Sequence, residues 1–299
     1  MTFLANVKIA GAPISWGVCE VPGWGHQMTP DRVLTEMAEL GLGATEFGPL
    51  GFLPVEPADR AAALAKHGME AVGGFFPIIL YKDDFDPLPA VLTELESYSA
   101  SGAKTLVLSA DTGLDGYDTK RPELDAAGWA TMFKNLERIK DAAAALGVTA
   151  VLHPHVGTMV ETEADVLQIL NGSTIKFCLD TGHMIIGGTD PVAFVAKHAD
   201  RVAHSHLKDV NLEVASRVQS GEITYYEGIL EGMYVPLGTG DVDVRSIVRG
   251  LLSAGYDGWF VLEQDNVINE EPAVGAGPFA DAKDSVEFIR AVAAELAAE

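Results

Sequence analysis

The chain of 299 residues carries 20 Lys and Arg against 43 Asp and Glu, a formal net charge of −23, with 48% hydrophobic and 21% charged residues. That balance excludes a disordered or collagen-like chain, and its acidity argues against nucleic acid and anionic membrane surfaces as partners, because both are drawn by positive fields. Two cysteines, Cys19 and Cys178, are too few for a disulfide framework in a chain this long, which points to a reducing, cytoplasmic setting. The leading MTFLANVKIAGAP has no basic region followed by an unbroken apolar stretch and reads as a poor secretory signal. The longest apolar stretch, around residues 71–81, is broken by Gly73, Gly74 and Pro77 and reaches about half a membrane span.

In chain order, a first strand is expected at 7–12, followed by a long connection over 13–28 that carries Trp16, Cys19, Trp24 and His26. Thr29-Pro30-Asp31 opens a helix over 29–40, since proline suits the first helical position, and Gly41 stops it. Short β-branched or apolar runs then alternate with segments whose apolar residues recur every three or four positions. Strands are expected at 44–47, 70–75, 105–108, 149–152, 175–179, 202–206 and 259–263; helices at 57–67, 88–101, 125–146, 162–170, 191–198, 244–254 and 280–298. A second long connection spans 208–241. Eight strand-then-helix units without a Pro/Gly/Ser linker predict an α/β fold, a single (β/α)8 TIM barrel domain over 1–299, with long loops after strands 1 and 7 as candidate lids. A doubly wound sheet is the runner-up, weakened because no glycine-rich dinucleotide fingerprint follows the first strand.

Polar residues gather at the C-terminal ends of four consecutive strands, where this architecture places chemistry. The fifth ends in LHPH (His153, His155), the sixth in CLDTGH (Asp180, His183), the seventh in AHSHLKD (His204, His206, Lys208) and the eighth in VLEQD (Glu263). Any one such histidine is more often a hydrogen-bonded structural residue than a ligand. Four strand ends together instead suit a divalent cation held by His153, Asp180, His206 and Glu263, a mixed nitrogen and oxygen shell that favours Mn²⁺ or Co²⁺ and also admits Zn²⁺, Fe²⁺ or Mg²⁺. Glu46, at the end of the second strand, is read equally as a catalytic carboxylate or a structural acceptor. Lys208 either neutralises an enolate, acts as a base with a lowered pKa, or is consumed in an ion pair with Asp209 or another acid. Trp16, Trp24 and Phe76 are read equally as an apolar wall for a sugar-like ring or as ordinary packing. His67 and His198 fall at helix ends, where they complement the dipole. No GxSxG elbow, Walker loop or cysteine–histidine motif is present.

The segments LHPHVGT, LDTGH, HSHLKD, PLGTGDVD and DGWFVLEQD, with IAGAPISWG and TEFGPLGFLP near the start, resemble the xylose isomerase-like TIM barrel superfamily, and within it the inosose (2-keto-myo-inositol) dehydratases, over nearly the whole chain. The resemblance implies metal ligation by Asp180, His206 and Glu263, and departs at His153, where many members carry Glu. It implies a hydro-lyase acting on a cyclic keto-polyol through an enolate, with His155 or Glu46 as base or acid, Lys208 as charge stabiliser and His183 as an orienting group. A keto-sugar isomerase or epimerase and a 3-keto-glycoside β-eliminase share that enolate, and a non-catalytic sugar-binding barrel is the reading from another class. The expected partner is a small keto-polyol or keto-sugar, and a homo-oligomer is compatible with the sequence. The apurinic-site endonuclease branch is excluded, because a charge of −23 repels DNA.

Overall fold

A computed structural model describes residues 7–299, so residues 1–6, which open the stretch read as a poor secretory signal, lie outside the described residues. Nine strands form one parallel sheet: β1 (Ile9–Gly11), β2 (Ala44–Thr45), β3 (Glu70–Ala71), β4 (Gly73–Ile78), β5 (Thr105–Ala110), β6 (Thr149–Leu152), β7 (Lys176–Asp180), β8 (Val202–Leu207) and β11 (Phe260–Leu262). Their order, β3-β2-β1-β11-β8-β7-β6-β5-β4, leaves β3 and β4 at the two ends, and these are separated in the chain by Val72 alone. Val72 N–H donates to Thr45 O on one side (3.0 Å), while its carbonyl accepts from Lys104 and Thr105 on the other (both 3.0 Å). The ring therefore closes through one kinked strand, and the eight strands expected from the sequence are all present.

The kink sits at Gly73, whose φ is +153° and whose backbone lies so near β5 that a Cβ would stand 1.7 Å from Thr105 O. Only glycine tolerates that approach. The extra residue shifts the inward alternation from Val72 to Gly73 and Phe75, and this turns the Phe75 ring onto His153 and His155 (centroids 5.9 and 5.4 Å apart).

The outer layer is α1 (Pro30–Glu39), α2 (Pro57–Lys66), α3 (Leu88–Ser101), α4 (Ala126–Ala145), α5 (Glu163–Gly172), α6 (Thr181–Ile186), α7 (Pro191–His198), α8 (Leu212–Gln219), α9 (Tyr225–Leu230), α10 (Val244–Ser253) and α11 (Pro278–Ala298). Their apolar faces pack on the outside of the sheet in one large core. The barrel interior is filled by small or branched residues, Ala10, Ala12, Ala44, Val72 and Val261 on one side and Val107, Val151 and Cys178 on the other. Among the described residues, no helix is long and apolar enough to cross a membrane.

The second long connection differs from the expected loop. It holds α8, α9 and a two-stranded antiparallel ribbon of β9 (Asp209–Val210) and β10 (Tyr234–Val235). The buried Asp209 carboxylate accepts four backbone N–H groups, from Val210 (2.9 Å) and Val242 (3.1 Å) on Oδ1 and from Gly238 (2.8 Å) and Gly240 (3.0 Å) on Oδ2. At Gly240 a Cβ would meet Asp209 Oδ1 at 2.3 Å, so PLGTGDVD is the backbone cradle that closes on this acid. The first long connection is likewise ordered: Pro13–Trp16 form a 3₁₀ turn, and Trp16 is fully buried with its Nε1 donating to Glu36 (2.8 Å). Trp16 is thus packing, not a wall of the site.

Candidate active site

Strand alternation builds the site. Ala44, Val151, Cys178, His204 and Val261 face the barrel interior, and the residues two positions further on, Glu46, His153, Asp180, His206 and Glu263, emerge on the same side at the C-terminal end. They converge beneath a cavity of about 410 Å³ lined by Glu46, Phe75, Tyr117, His153, His155, His183, His206, Lys208, Glu263 and Asp265, a size suited to a small ligand. Trp24 and Phe76 also line it. The eight candidate ligands and catalytic groups, Glu46, His153, His155, Asp180, His183, His206, Lys208 and Glu263, meet here, with Asp180 fully buried under the floor.

Asp180 ends β7 and caps α6, its Oδ1 accepting His183 N–H at 2.8 Å. The LDTGH segment is therefore a helix cap that leaves Oδ2 free to face the site. Oδ2 lies 3.1 Å from Lys208 Nζ, 3.3 Å from His153 Nε2 and 3.5 Å from His206 Nδ1. Glu263 Oε2 lies 2.9 Å from the same His206 Nδ1 and 2.6 Å from Lys208 Nζ. Asp180 Oδ2, both His153 ring nitrogens and His206 Nδ1 are buried without a well-formed hydrogen bond. Buried polar atoms are rarely left so, and Asp180, His206 and Glu263 offer donor atoms all within 4.8 Å of one another, as do His153, Asp180 and His183. Carboxylate oxygens and imidazole nitrogens pointing at a common space fit a divalent cation.

The other face of His206 is fixed by Glu46. Its Oε1 accepts from His206 Nε2 (2.9 Å) and His204 Nε2 (2.7 Å) across the barrel. A carboxylate that holds one ring nitrogen of a histidine sets its tautomer and aims the other, here Nδ1, at the site. Burial opposes a charge on Glu46, but His206 and His204 outweigh it and hold its pKa well below the usual carboxylate range. Burial likewise opposes a charge on His206, and the surrounding Cys178, Glu263 and Glu46 push its pKa well up. The field around Nδ1 demands a positive charge, which a proton or a metal cation equally satisfies.

Lys208 is buried, and burial disfavours its charge. Asp180, Asp265 (3.0 Å) and Glu263 overcome this and raise its pKa well above the ordinary value. These three acids favour the ammonium form of Lys208, against the expectation of a base with a lowered pKa. Its partners are these three acids and not Asp209, which the ribbon consumes. Thr181 Oγ1 and the Lys208 backbone fix one another, the hydroxyl donating to Lys208 O (2.6 Å) and Lys208 N–H donating to Thr181 Oγ1 (2.8 Å).

His155 lies just past β6, with its Nδ1–H donating to Val156 O at 2.7 Å, so Nε2 keeps its lone pair. Burial, with His153 nearby, pushes its pKa down to about 3. His183 accepts Val156 N–H on Nδ1 at 3.4 Å, so its proton is on Nε2, and burial with His155 holds its pKa well below 6.5. The two rings stack with centroids 3.7 Å apart, flanked by Tyr117 and Tyr225.

Sequence reasoning passed over Asp265, Tyr225, Tyr234 and Phe75. Asp265 continues the parity of Glu263 and could have been found by extending the pattern two residues. Tyr225 OH donates to Asp265 (2.8 Å) and meets Tyr234 OH (3.0 Å), a network reached from α9 and β10, which are too short to carry a periodic signal.

A parallel barrel with titratable groups from four neighbouring strands over one mouth is the layout of a TIM-barrel enzyme's active site. The chain belongs to the xylose isomerase-like TIM barrel family, whose model matches residues 34–292. It is 34% identical over 276 residues to the rhizopine catabolism protein MocC of Rhizobium meliloti, covering 89% of this chain and 84% of that protein. To the inosose dehydratase of Geobacillus kaustophilus (strain HTA426) it is 32% identical over 296 residues, covering 94% and 93%. Among solved structures, that of the IOLI protein with a zinc atom superposes with a TM-score of 0.69 at 13% identity, covering 97% and 99%.

Proposed function

We propose that this protein is a metal-dependent hydro-lyase that dehydrates a keto-inositol or related cyclic keto-polyol in the cytoplasm. The observation that carries the reading is the convergence of buried donor atoms from Asp180, His153 and His206 with Glu263, beside the Lys208 ammonium, under one small cavity. The resemblance to inosose dehydratases supplies the substrate class. His153, Asp180, His206 and Glu263 would hold the ion, and their mixed donors favour Mn²⁺ or Co²⁺. When bound, such an ion polarises a substrate carbonyl as a Lewis acid.

The chain's own groups divide the remaining work. His155, which lines the cavity with Nδ1–H held by Val156 O, takes the proton from the carbon beside the carbonyl on Nε2. It returns that proton to the neighbouring hydroxyl as the C–O bond breaks, so the group leaves as water and a carbon–carbon double bond forms beside the carbonyl. Lys208, kept charged by its three acids, neutralises negative charge growing on substrate oxygen. His183 Nε2–H donates to a substrate hydroxyl and, together with Tyr117 and Phe75, excludes water from one side. Glu46 is held in two imidazole hydrogen bonds and serves as a positioning residue instead of a base.

The test is to incubate Mn²⁺- or Co²⁺-loaded protein with 2-keto-myo-inositol and follow the conjugated product by ultraviolet absorption. Product should form, and His155→Gln should lower kcat by roughly 10²–10⁴-fold. Exchange of the α-hydrogen with deuterated solvent without any product would overturn dehydration in favour of epimerisation.

A further inference from the structure

Below the carboxylates of the site the barrel holds a second set of donors. Cys178 stands two residues before Asp180 on β7, fully buried beside Val107 and Val151. It pairs in register with His204, whereas Asp180 pairs with His206, so its sulfur lies one layer deeper in the barrel. Cys178, His153 and His206 nevertheless offer a sulfur and two ring nitrogens all within 4.8 Å of one another. Neither ring nitrogen of His153 makes a hydrogen bond, although the residue is only 2% exposed. A buried imidazole with both nitrogens unpartnered is costly, and one of them is already aimed at this space.

We propose that Cys178, His153 and His206 form a second, softer position for a divalent cation, one that takes thiophilic ions such as Cd²⁺ or Zn²⁺ in preference to Mn²⁺. The inference rests on the metal reading of the site above, because the two histidines are shared and the positions exclude one another. Bond lengths of about 2.3 Å to sulfur and about 2.0–2.1 Å to nitrogen put donors on one tetrahedral ion roughly 3.5 Å apart, so groups at most 4.8 Å apart need close by no more than about 1.4 Å. The balance is simple: the thiol loses its proton, a sulfur–metal bond forms, and nothing is oxidised or reduced. Thiolate selects soft ions and carboxylate hard ones. An ion in the deeper position is drawn away from the cavity and from Glu263, which makes thiophilic ions competitors of the productive one.

Cd²⁺ titrated into the metal-stripped whole protein tests this, with thiolate-to-cadmium ultraviolet absorption as the readout and bound metal counted after desalting. The chain has only two cysteines, so Cys19→Ser isolates the signal of Cys178. The band should appear in the unaltered protein and in Cys19→Ser and vanish in Cys178→Ser. In Cys178→Ser, Cd²⁺ affinity should fall on the order of 100-fold while Mn²⁺ affinity moves less than about threefold. Bound Cd²⁺ without the band in Cys19→Ser overturns the proposal even where Cys178→Ser fails to fold, and leaves the carboxylate position standing. Failure of the unaltered protein to retain either Mn²⁺ or Cd²⁺ overturns the metal reading itself.

Discussion

Asp209→Asn is the sharpest probe of how the second connection supports the site. The side chains are nearly isosteric, but each carboxylate oxygen of Asp209 accepts two N–H groups, both buried on Oδ1 and partly open to solvent on Oδ2. Whichever way the amide turns, its NH₂ faces a pair of donors. With the NH₂ on the more open Oδ2 side, two charge-assisted hydrogen bonds are lost, each contributing about 1.5–3 kcal/mol, while the Gly238 and Gly240 donors turn to water. Allowing for non-additivity within one cradle, the expected loss is about 4 kcal/mol, a large share of the roughly 5–15 kcal/mol that holds a typical domain together. Urea denaturation should show the midpoint falling with little change in slope, and hydrogen exchange should accelerate at the amides of 238, 240 and 242. Because Tyr234 lies on the same ribbon under the Lys208 ammonium, 5.5 Å from it, kcat/KM should fall as well. A stability loss under about 1 kcal/mol, or unchanged exchange in those amides, would refute the cradle as the organiser of this segment.

Glu46→Gln removes the charge that fixes His206, and Mn²⁺ affinity measured by calorimetry should weaken by about 10–100-fold, with activity recovered at saturating metal. Gly73→Ala forces a Cβ into Thr105 O and should lower the thermal midpoint by roughly 5 °C, for a loss of about 3 kcal/mol. Burial opposes ionised Glu137, yet Lys140, Thr174 and Ser173 win and bring its pKa from 4.5 to about 2. A carboxyl whose pKa falls on folding contributes stability above pH 4.5 and loses it between there and about pH 2. With about a third of the side chain exposed, screening reduces the effect to about 1 kcal/mol, so Glu137→Gln should cost that much at pH 7 and nothing near pH 2 in acid-unfolding curves.

The barrel was legible in the sequence because its signals are local. Prolines and aspartates that open helices, glycines that stop them and two-residue alternation in the strands bring α3 and β6 to their observed bounds. The short helices α6, α8 and α9 escaped: α6 and α9 are six residues each and rest on their caps, and α8 is only eight residues, too short for its amphipathic face to stand out within a long connection. At the site, parity along each strand reached His153, Asp180, His206 and Glu263. Parity says nothing of pairing across the barrel: Glu46 meets His204 from 158 residues away and Lys208 meets Glu263 from 55, so their roles as orienter and fixed ammonium needed coordinates.

The loops around the mouth are bound to one another on nearly every side. Trp24 Nε1 donates to Asn266 O (2.8 Å) and His26 N–H to Ile268 O (2.7 Å), Tyr226 OH donates to Gly23 O (3.3 Å), and Tyr225 N–H donates to Asp118 (2.9 Å). The turn after β2 is different: Arg60 holds only its far end, at Pro54 O and Val55 O, while Leu50 stands 89% exposed near the half-open Phe75. Leu50 and Phe75 both line the cavity, so on this flank the rim of the mouth is an open apolar edge in place of a hydrogen-bonded one.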